Sequence, residues 1–438
     1  MKILILTLTL TLSLLSDALL IQGKRPYSML DRVDRNNVGD TLYITQKPSL
    51  FTKNISPLSK YQQKIYDRAY NKKLFSPWHT KKMGISWRKR HWQFKFSKQR
   101  TYTISGKSIK KKWFRYQIKN SNMKSYQSIN RSAITIRHTD LKLFPSKRGI
   151  YYHPRRTGEG FPFDYNQNSS LSINTPLIVS HYSKDKKWVF VKSGYAFGWL
   201  PIQDIAFATA WFKKKFENNN YTISIKDNLY IKDNSLKTIV KLGTLFPFDS
   251  KKRRYIFAKK NGKGYAQLGY INLSNKNFLA SKPLSFTAKN IAKIAKEFIR
   301  EPYGWGGKLY ARDCSSFTRD FFAPFGIFLR RNSVQQLYDG KKIISLRYMS
   351  HKKKRETILK YGKPFRTLLF VKGHIALYIG QLRGEPIIMH NYWGVRLNNG
   401  SKCILGRTII TTTRAGREMP NIRPRSFLIN TFSKMIIF

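Results

Sequence analysis

The sequence holds two cysteines and eight histidines, and three of these ten residues sit where they can do chemistry together. Asp313 is a good N-cap residue, and Cys314, Phe317 and Phe321 recur at spacings of three and four, so a helix is predicted to begin near Asp313. A thiol in a first helical turn meets unpaired N–H groups and the positive end of the helix dipole. Both favour a thiolate, and the same N–H groups can stabilise the oxyanion of an acyl transfer. The competing reading is a structural cysteine packed in a helix, because free cysteine is among the most buried residue types.

A thiolate nucleophile needs a base, usually an imidazole. His374 opens an alternating run in which it shares a face with Ala376 and Tyr378, while Ile375, Leu377 and Ile379 point the other way. The second set belongs to the core, so His374 is expected to face a cleft. His390 ends the next strand and can orient the ring of His374 through its remote nitrogen. Each histidine alone reads as structural. A cysteine at a helix start with two histidines on following strands reads as a nucleophile, its base and an orienting group.

The elements that must position these residues are legible around them. Ile291, Ile294, Ala295, Phe298 and Ile299 mark one face of an amphipathic helix with Thr287 as its N-cap. Residues 368–380 alternate with period 2, and 387–390 extend as a neighbouring strand, which makes this last domain α+β. The basic segment 347–356 reads as a solvated loop. Upstream, short alternating strands and turns fill 126–208 and recur more loosely over 209–282, the pattern of two small β-barrels in tandem. Residues 23–125 carry aromatics, basic residues and a predicted helix that stops before Pro77. No chemistry is visible there.

Length and composition set the outer bounds. A chain of 438 residues exceeds one hydrophobic core, and an apolar share of 41% is globular. One Lys precedes an apolar run from Ile3 to about Leu15, so residues 1–22 read as a signal peptide and the protein as exported, to the periplasm or cell envelope. Cys314 and Cys403 are both expected as free thiols. No metal or other cofactor is implied, since the histidines lack a zinc-like grouping with cysteines. The formal charge of +61, from 83 Lys plus Arg against 22 Asp plus Glu, favours anionic partners such as the wall polymer or a membrane surface. Export argues against nucleic acid.

The run Tyr303, Trp305, Gly306, Gly307, then Asp313-Cys314-Ser315-Ser316, then Gly373-His374-Ile375-Ala376-Leu377-Tyr378, then Met389-His390-Asn391 resembles the NlpC family of bacterial murein cysteine peptidases. The barrels resemble SH3b domains, and the segment Pro77-Trp78-His79 resembles the branch with an N-terminal cap and two such domains. The resemblance implies a multidomain architecture: a cap, two SH3-like barrels, and a papain-like α+β peptidase domain over 283–438. It implies a Cys314–His374–His390 triad cutting the γ-D-glutamyl–diamino acid bond of wall stem peptides, with peptidoglycan or murein fragments as partners; the chain is expected to act as a monomer. Asp313 and Ser315 match positions that hold the free amine of L-Ala; for Asp313 a plain N-cap is the equal alternative. Ser333 matches a further substrate-contacting position, Tyr303 and Trp305 would line the pocket, and Tyr195 is the candidate reaching in from the first barrel, with core packing as its competing role. The family's Pro-Gly-Asp-Leu turn is replaced here by Pro364-Phe365-Arg366-Thr367-Leu368. A non-catalytic peptidoglycan-binding protein is the runner-up reading.

Overall fold

A computed structural model of the chain describes residues 18–53, 55–233, 236–271 and 278–438; the apolar run from Ile3 to about Leu15 lies outside them. In the last domain the capping signals are realised. Thr287 accepts a hydrogen bond from Asn290 N and opens the helix Ala288–Phe298, and Asp313 accepts one from Ser316 N and opens the helix Cys314–Phe322. Behind them lies a six-stranded antiparallel sheet in the order Lys342–Ser345, Lys434–Ile437, Thr367–Val371, His374–Leu382, Glu385–Arg396, Lys402–Thr412. Phe317 and Phe321 of the nucleophile helix pack with Ile375, Leu377 and Ile379 on one face of it.

Three expectations change here. The alternating run is a hairpin: Val371 pairs with His374 across a turn at Lys372-Gly373, where Gly373 has φ +90°. A two-residue turn keeps the alternation in step, so its period gave no sign of the reversal. Ala376 and Tyr378 face no cleft but join Ile358 and Leu428 in a second apolar cluster on the far side of the sheet. His374, the first residue of the same strand, does line a cleft. The basic segment is not a loop either. Ser350 accepts a hydrogen bond from Lys353 N and caps the helix His351–Tyr361, which buries Thr357 and Ile358 and is what covers that far side.

The first β-unit is a seven-stranded sheet between Arg131 and Phe207, with strands Pro176–Tyr182, Trp188–Lys192 and Phe197–Pro201 separated at the predicted turns. The second combines a five-stranded sheet over 221–281 with a three-stranded one made by Leu229–Asp233, Leu236–Val240 and, from the chain's start, Leu19–Gln22. Leu20 is buried in that strand, so a leader ending at residue 22 would remove part of the fold. Among the described residues no helix is long and apolar enough to cross a membrane.

The N-terminal region binds the other parts together. Its helix Lys60–Phe75 ends in a 3-10 turn at Ser76–Trp78, and Trp78 Nε1 donates to Ala133 O of the first β-unit at 2.8 Å. Gln63 bridges to the last domain, donating to Leu284 O at 2.8 Å and accepting from Phe286 N at 3.0 Å. A buried ionic cluster fastens the second β-unit. Arg312 contacts Asp227 at 2.9 Å, Glu301 at 2.7 Å and Asp320 at 2.6 Å, while Lys241 pairs with Asp227 and Glu301.

Candidate active site

Cys314 is the first residue of its helix and only 7% exposed. Its sulfur accepts hydrogen bonds from the backbone N–H groups of Ile375 and Ser315, so it lies against the first turn of its own helix and the start of the His374 strand. His374 Nε2 lies 2.9 Å from His390 Nδ1, and His390 Nε2 lies 3.1 Å from Thr411 Oγ1. Thr411 Oγ1 itself donates to Thr412 O at 2.8 Å. One arrangement of protons satisfies the whole row. His390 donates from Nε2 to Thr411, His374 donates from Nε2 to His390, and His374 keeps an unprotonated Nδ1. Tyr392 stacks on His390 with ring centroids 4.7 Å apart and holds its plane.

Burial sets the charge state of the resting site. It pushes the Cys314 thiol up to about 12, with the neighbouring Asp313 carboxylate adding to the rise against the opposing pull of the backbone donors and Arg331. Burial also lowers His374 to about 3, helped by the charge of Lys402, and lowers His390, helped by His374. The thiol and imidazole therefore rest neutral, where the helix dipole alone predicts a thiolate. The desolvation of a site covered on several sides outweighs the dipole. Proton transfer then belongs to the attack itself.

These shifts also bear on stability. The folded chain binds fewer protons than the unfolded one once pH falls below about 6.5, the ordinary value for histidine, so stability must fall as pH drops from there. His138 and His181, each lowered to about 4 by burial, add to the same slope. Urea midpoints are expected to decline from pH 7 to pH 5.

A cleft of about 220 Å³ lies over Cys314. Tyr303, Trp305, Asp313, Ser315 and Ser333 all line it. Tyr195 does not. It borders a separate small cavity with Tyr70 and Arg319, its ring under the Arg319 guanidinium at 4.4 Å, and takes the packing role that was its alternative. The first β-unit reaches the cleft through Tyr165 instead, whose ring lies 5.5 Å from that of Trp305. Gly306 and Gly307, with φ of +64° and +83°, let the strand Gln167–Leu171 lie directly on the loop before the nucleophile; a Cβ at Gly306 would meet Gln167 O at 2.6 Å.

Asp313 and Ser315 are also engaged within the protein. Arg331 Nη2 contacts Asp313 Oδ2 at 2.7 Å, Arg331 Nη1 donates to Ser315 Oγ at 2.9 Å, and Arg331 Nε donates to Ser169 Oγ of the first β-unit at 2.8 Å. Asp313 also caps its helix and accepts from Gly306 N at 3.1 Å. Burial works to raise its carboxyl, but Arg331 and the Ser316 hydrogen bonds win and hold it at about 2. Its charge is thereby matched from within the protein. Sequence reasoning missed Arg331, Thr411, Tyr165 and Tyr392. Among 83 basic residues nothing singles out one arginine, and Thr411 is marked only by lying on the strand next to His390.

Thr411→Val, which removes the hydroxyl at nearly constant shape, is expected to lower turnover about 10- to 100-fold, the range for partners that fix an imidazole's tautomer. A pH–rate profile with a displaced acid limb, at unaltered melting temperature, separates this positioning role from a structural one. Both cysteines are free thiols. Cys403 is buried in a separate apolar cluster with Leu405 and Ile422.

Three family models match the chain: the NlpC/P60 stabilising domain, N-terminal, at residues 5–126, an SH3 domain of SH3b1 type at 150–201, and the NlpC/P60 family at 300–409. The second β-unit has no such match. Among solved structures, an NlpC/P60 endopeptidase from Photobacterium damselae subsp. piscicida is 23% identical, with 92% of this chain and 99% of that one covered and a TM-score of 0.82. An NlpC/P60 family protein from Bacillus cereus is 16% identical over 69% of this chain and 98% of that one, with a TM-score of 0.43. No curated protein matches. The chain shares the multidomain fold of the Photobacterium protein, and the domain that bears Cys314, His374 and His390, set behind a family-specific stabilising domain and an SH3b domain, belongs to the NlpC/P60 family of cysteine peptidases.

Proposed function

We propose that this chain is an exported peptidoglycan hydrolase, a cysteine endopeptidase that cuts the γ-D-glutamyl–diaminopimelate bond of wall stem peptides. The observation that carries the reading is the row His374–His390–Thr411 together with a helix-start cysteine whose sulfur is held by the N–H of Ile375, the residue after His374. In the forward step the Cys314 sulfur attacks the γ-carbonyl carbon of D-glutamate as His374 Nδ1 takes the thiol proton. First-turn N–H groups of the Cys314–Phe322 helix receive the oxyanion. His374 returns the proton to the departing amine, leaving a thioester. Water, deprotonated by His374, then cleaves the thioester and restores the thiol.

His390 orients His374 and Thr411 orients His390. Trp305 and Tyr303 form the apolar wall of the cleft, and Ser333 offers a hydroxyl at its rim. The second β-unit, over 209–282, serves as a further SH3b-like module, and the net positive charge draws the chain to anionic wall fragments in the periplasm or envelope, where it works as a monomer. Mass spectrometry of L-Ala-γ-D-Glu-diaminopimelate incubated with the protein tests this. Release of L-Ala-D-Glu is expected. Retention of the peptide on the protein without any cleavage would replace the enzyme with a wall-binding protein.

A further inference from the structure

Beside His374, on the side away from Arg331, opens a second cleft of about 380 Å³. It shares Tyr165, Tyr303, Trp305 and Gly373 with the cleft over Cys314, so the two adjoin as halves of one groove, the nucleophile lining one and the base the other. The halves differ in charge. Around the first half Arg331 is matched by Asp313. The charged side chains lining the second are Lys372, Arg396 and Lys402, and no carboxylate lines it among the described residues.

In a chain of net charge +61, three cations on a surface signify little. Lys402 is different, because it is not on the open surface. It is half-buried, its ammonium is lowered by that burial and by Arg396, and it forms no ion pair among the described residues. Glu159, whose carboxylate accepts from Tyr165 Oη at 2.9 and 3.1 Å, partly opposes that lowering without forming an ion pair with Lys402. Gly158, with φ +73°, leaves the space the ammonium occupies; a Cβ there would meet Lys402 Nζ at 3.0 Å. A partly desolvated, unpaired cation crowded by a second cation is unfavourable until an anion arrives.

The chemistry assigns the halves. The base that takes the thiol proton hands it to the departing amine, so the leaving fragment must lie on the His374 side and the acyl fragment on the Arg331 side. Resting on the reaction proposed above, we infer that the second cleft is the leaving-group subsite and that Lys402, with Arg396 and Lys372, grips the carboxylates of the departing diamino acid. The site thereby selects diaminopimelate, which carries a carboxylate at each end, over lysine, whose side chain ends in the same amine without its carboxylate. Burial is the larger cause of the lowered His374, and a carboxylate seated at Lys402 offsets the smaller one, the Lys402 charge.

Three peptides test this on the full chain: L-Ala-γ-D-Glu-diaminopimelate, the same peptide amidated on its side-chain carboxyl, and L-Ala-γ-D-Glu-lysine amide. Each lost carboxylate is expected to lower kcat/KM about 10-fold, the scale of a charge-assisted contact at a half-exposed site. In Lys402→Met combined with Arg396→Gln, the roughly 100-fold spread between the first and third peptides should collapse toward unity. Lys402→Arg, which keeps the charge, should retain it and guard against misfolding as the cause. Equal rates on the three peptides by active wild type, or a spread that survives in the double variant, overturns the subsite and leaves the peptidase standing. A spread that lies wholly in the side-chain carboxylate favours the diamino acid's far end as the gripped group; one wholly in the main-chain carboxylate means the site reads a free C-terminus, and the preference for diaminopimelate fails. Cleavage of none of the three overturns the proposed reaction, and the subsite with it.

Discussion

Cys314→Ala is expected to lower kcat on L-Ala-γ-D-Glu-diaminopimelate by about 10⁴-fold or more, the scale on which nucleophile–base sites fail when one member is removed. The fold should survive, because the change removes one sulfur from a helix whose N-cap, Asp313, keeps its partners Ser316, Gly306 and Arg331. Cys403→Ala supplies the control. That thiol packs with Leu405 and Ile422, away from the groove, and its loss should leave turnover alone. Peptide hydrolysis followed on both variants decides between a catalytic thiol and a bystander. Full activity in Cys314→Ala would remove the nucleophile from the account.

The second large effect is on stability. Arg312 is 2% exposed and its guanidinium serves three carboxylates, those of Asp227, Glu301 and Asp320. Lys241 and Arg319 supply the other two positive charges of the cluster. Arg312→Leu leaves those three carboxylates facing two cations inside the protein, and stranding buried charge in this way costs about 3–5 kcal/mol. Asp227 comes from the second β-unit and the others from the last domain, so the loss should appear as early release of the β-unit. Thermal melting, with limited proteolysis between residues 209 and 282 as the local readout, tests this. Arg312→Lys should fall between, since an ammonium cannot reach three carboxylates as a planar fork does. A melting temperature unmoved by Arg312→Leu would mean the cluster holds nothing together.

How much of this was readable beforehand follows from the range of the interactions. The helices at Ala288–Phe298 and Cys314–Phe322 were legible because a cap and an apolar face are written within a dozen residues. Strands such as Trp188–Lys192 were legible for the same reason. His374 and His390 were found through their strands, although the reason first given for His374 failed: the face it shares with Ala376 and Tyr378 is covered by the helix His351–Tyr361. That helix was misread because its charged exterior conceals a short buried stripe. Arg331 meets Asp313, Tyr165 meets Trp305 and Thr411 meets His390 only after distant segments are folded together, and none of those meetings leaves a local spacing to read. Arg331 also makes Asp313, expected either to hold a substrate amine or to cap its helix, half of an internal ion pair.

The central claim is that Cys314 carries the acyl group. Rapid acid quenching of the protein with L-Ala-γ-D-Glu-diaminopimelate, followed by digestion and mass spectrometry, tests it most directly. The account predicts a peptide containing Cys314 heavier by an L-Ala-γ-D-Glu acyl group, bound as a thioester that hydroxylamine removes, and no such adduct on Cys403. Hydrolysis that proceeds at an undiminished rate in Cys314→Ala, with no adduct on Cys314 in the wild type, would contradict it.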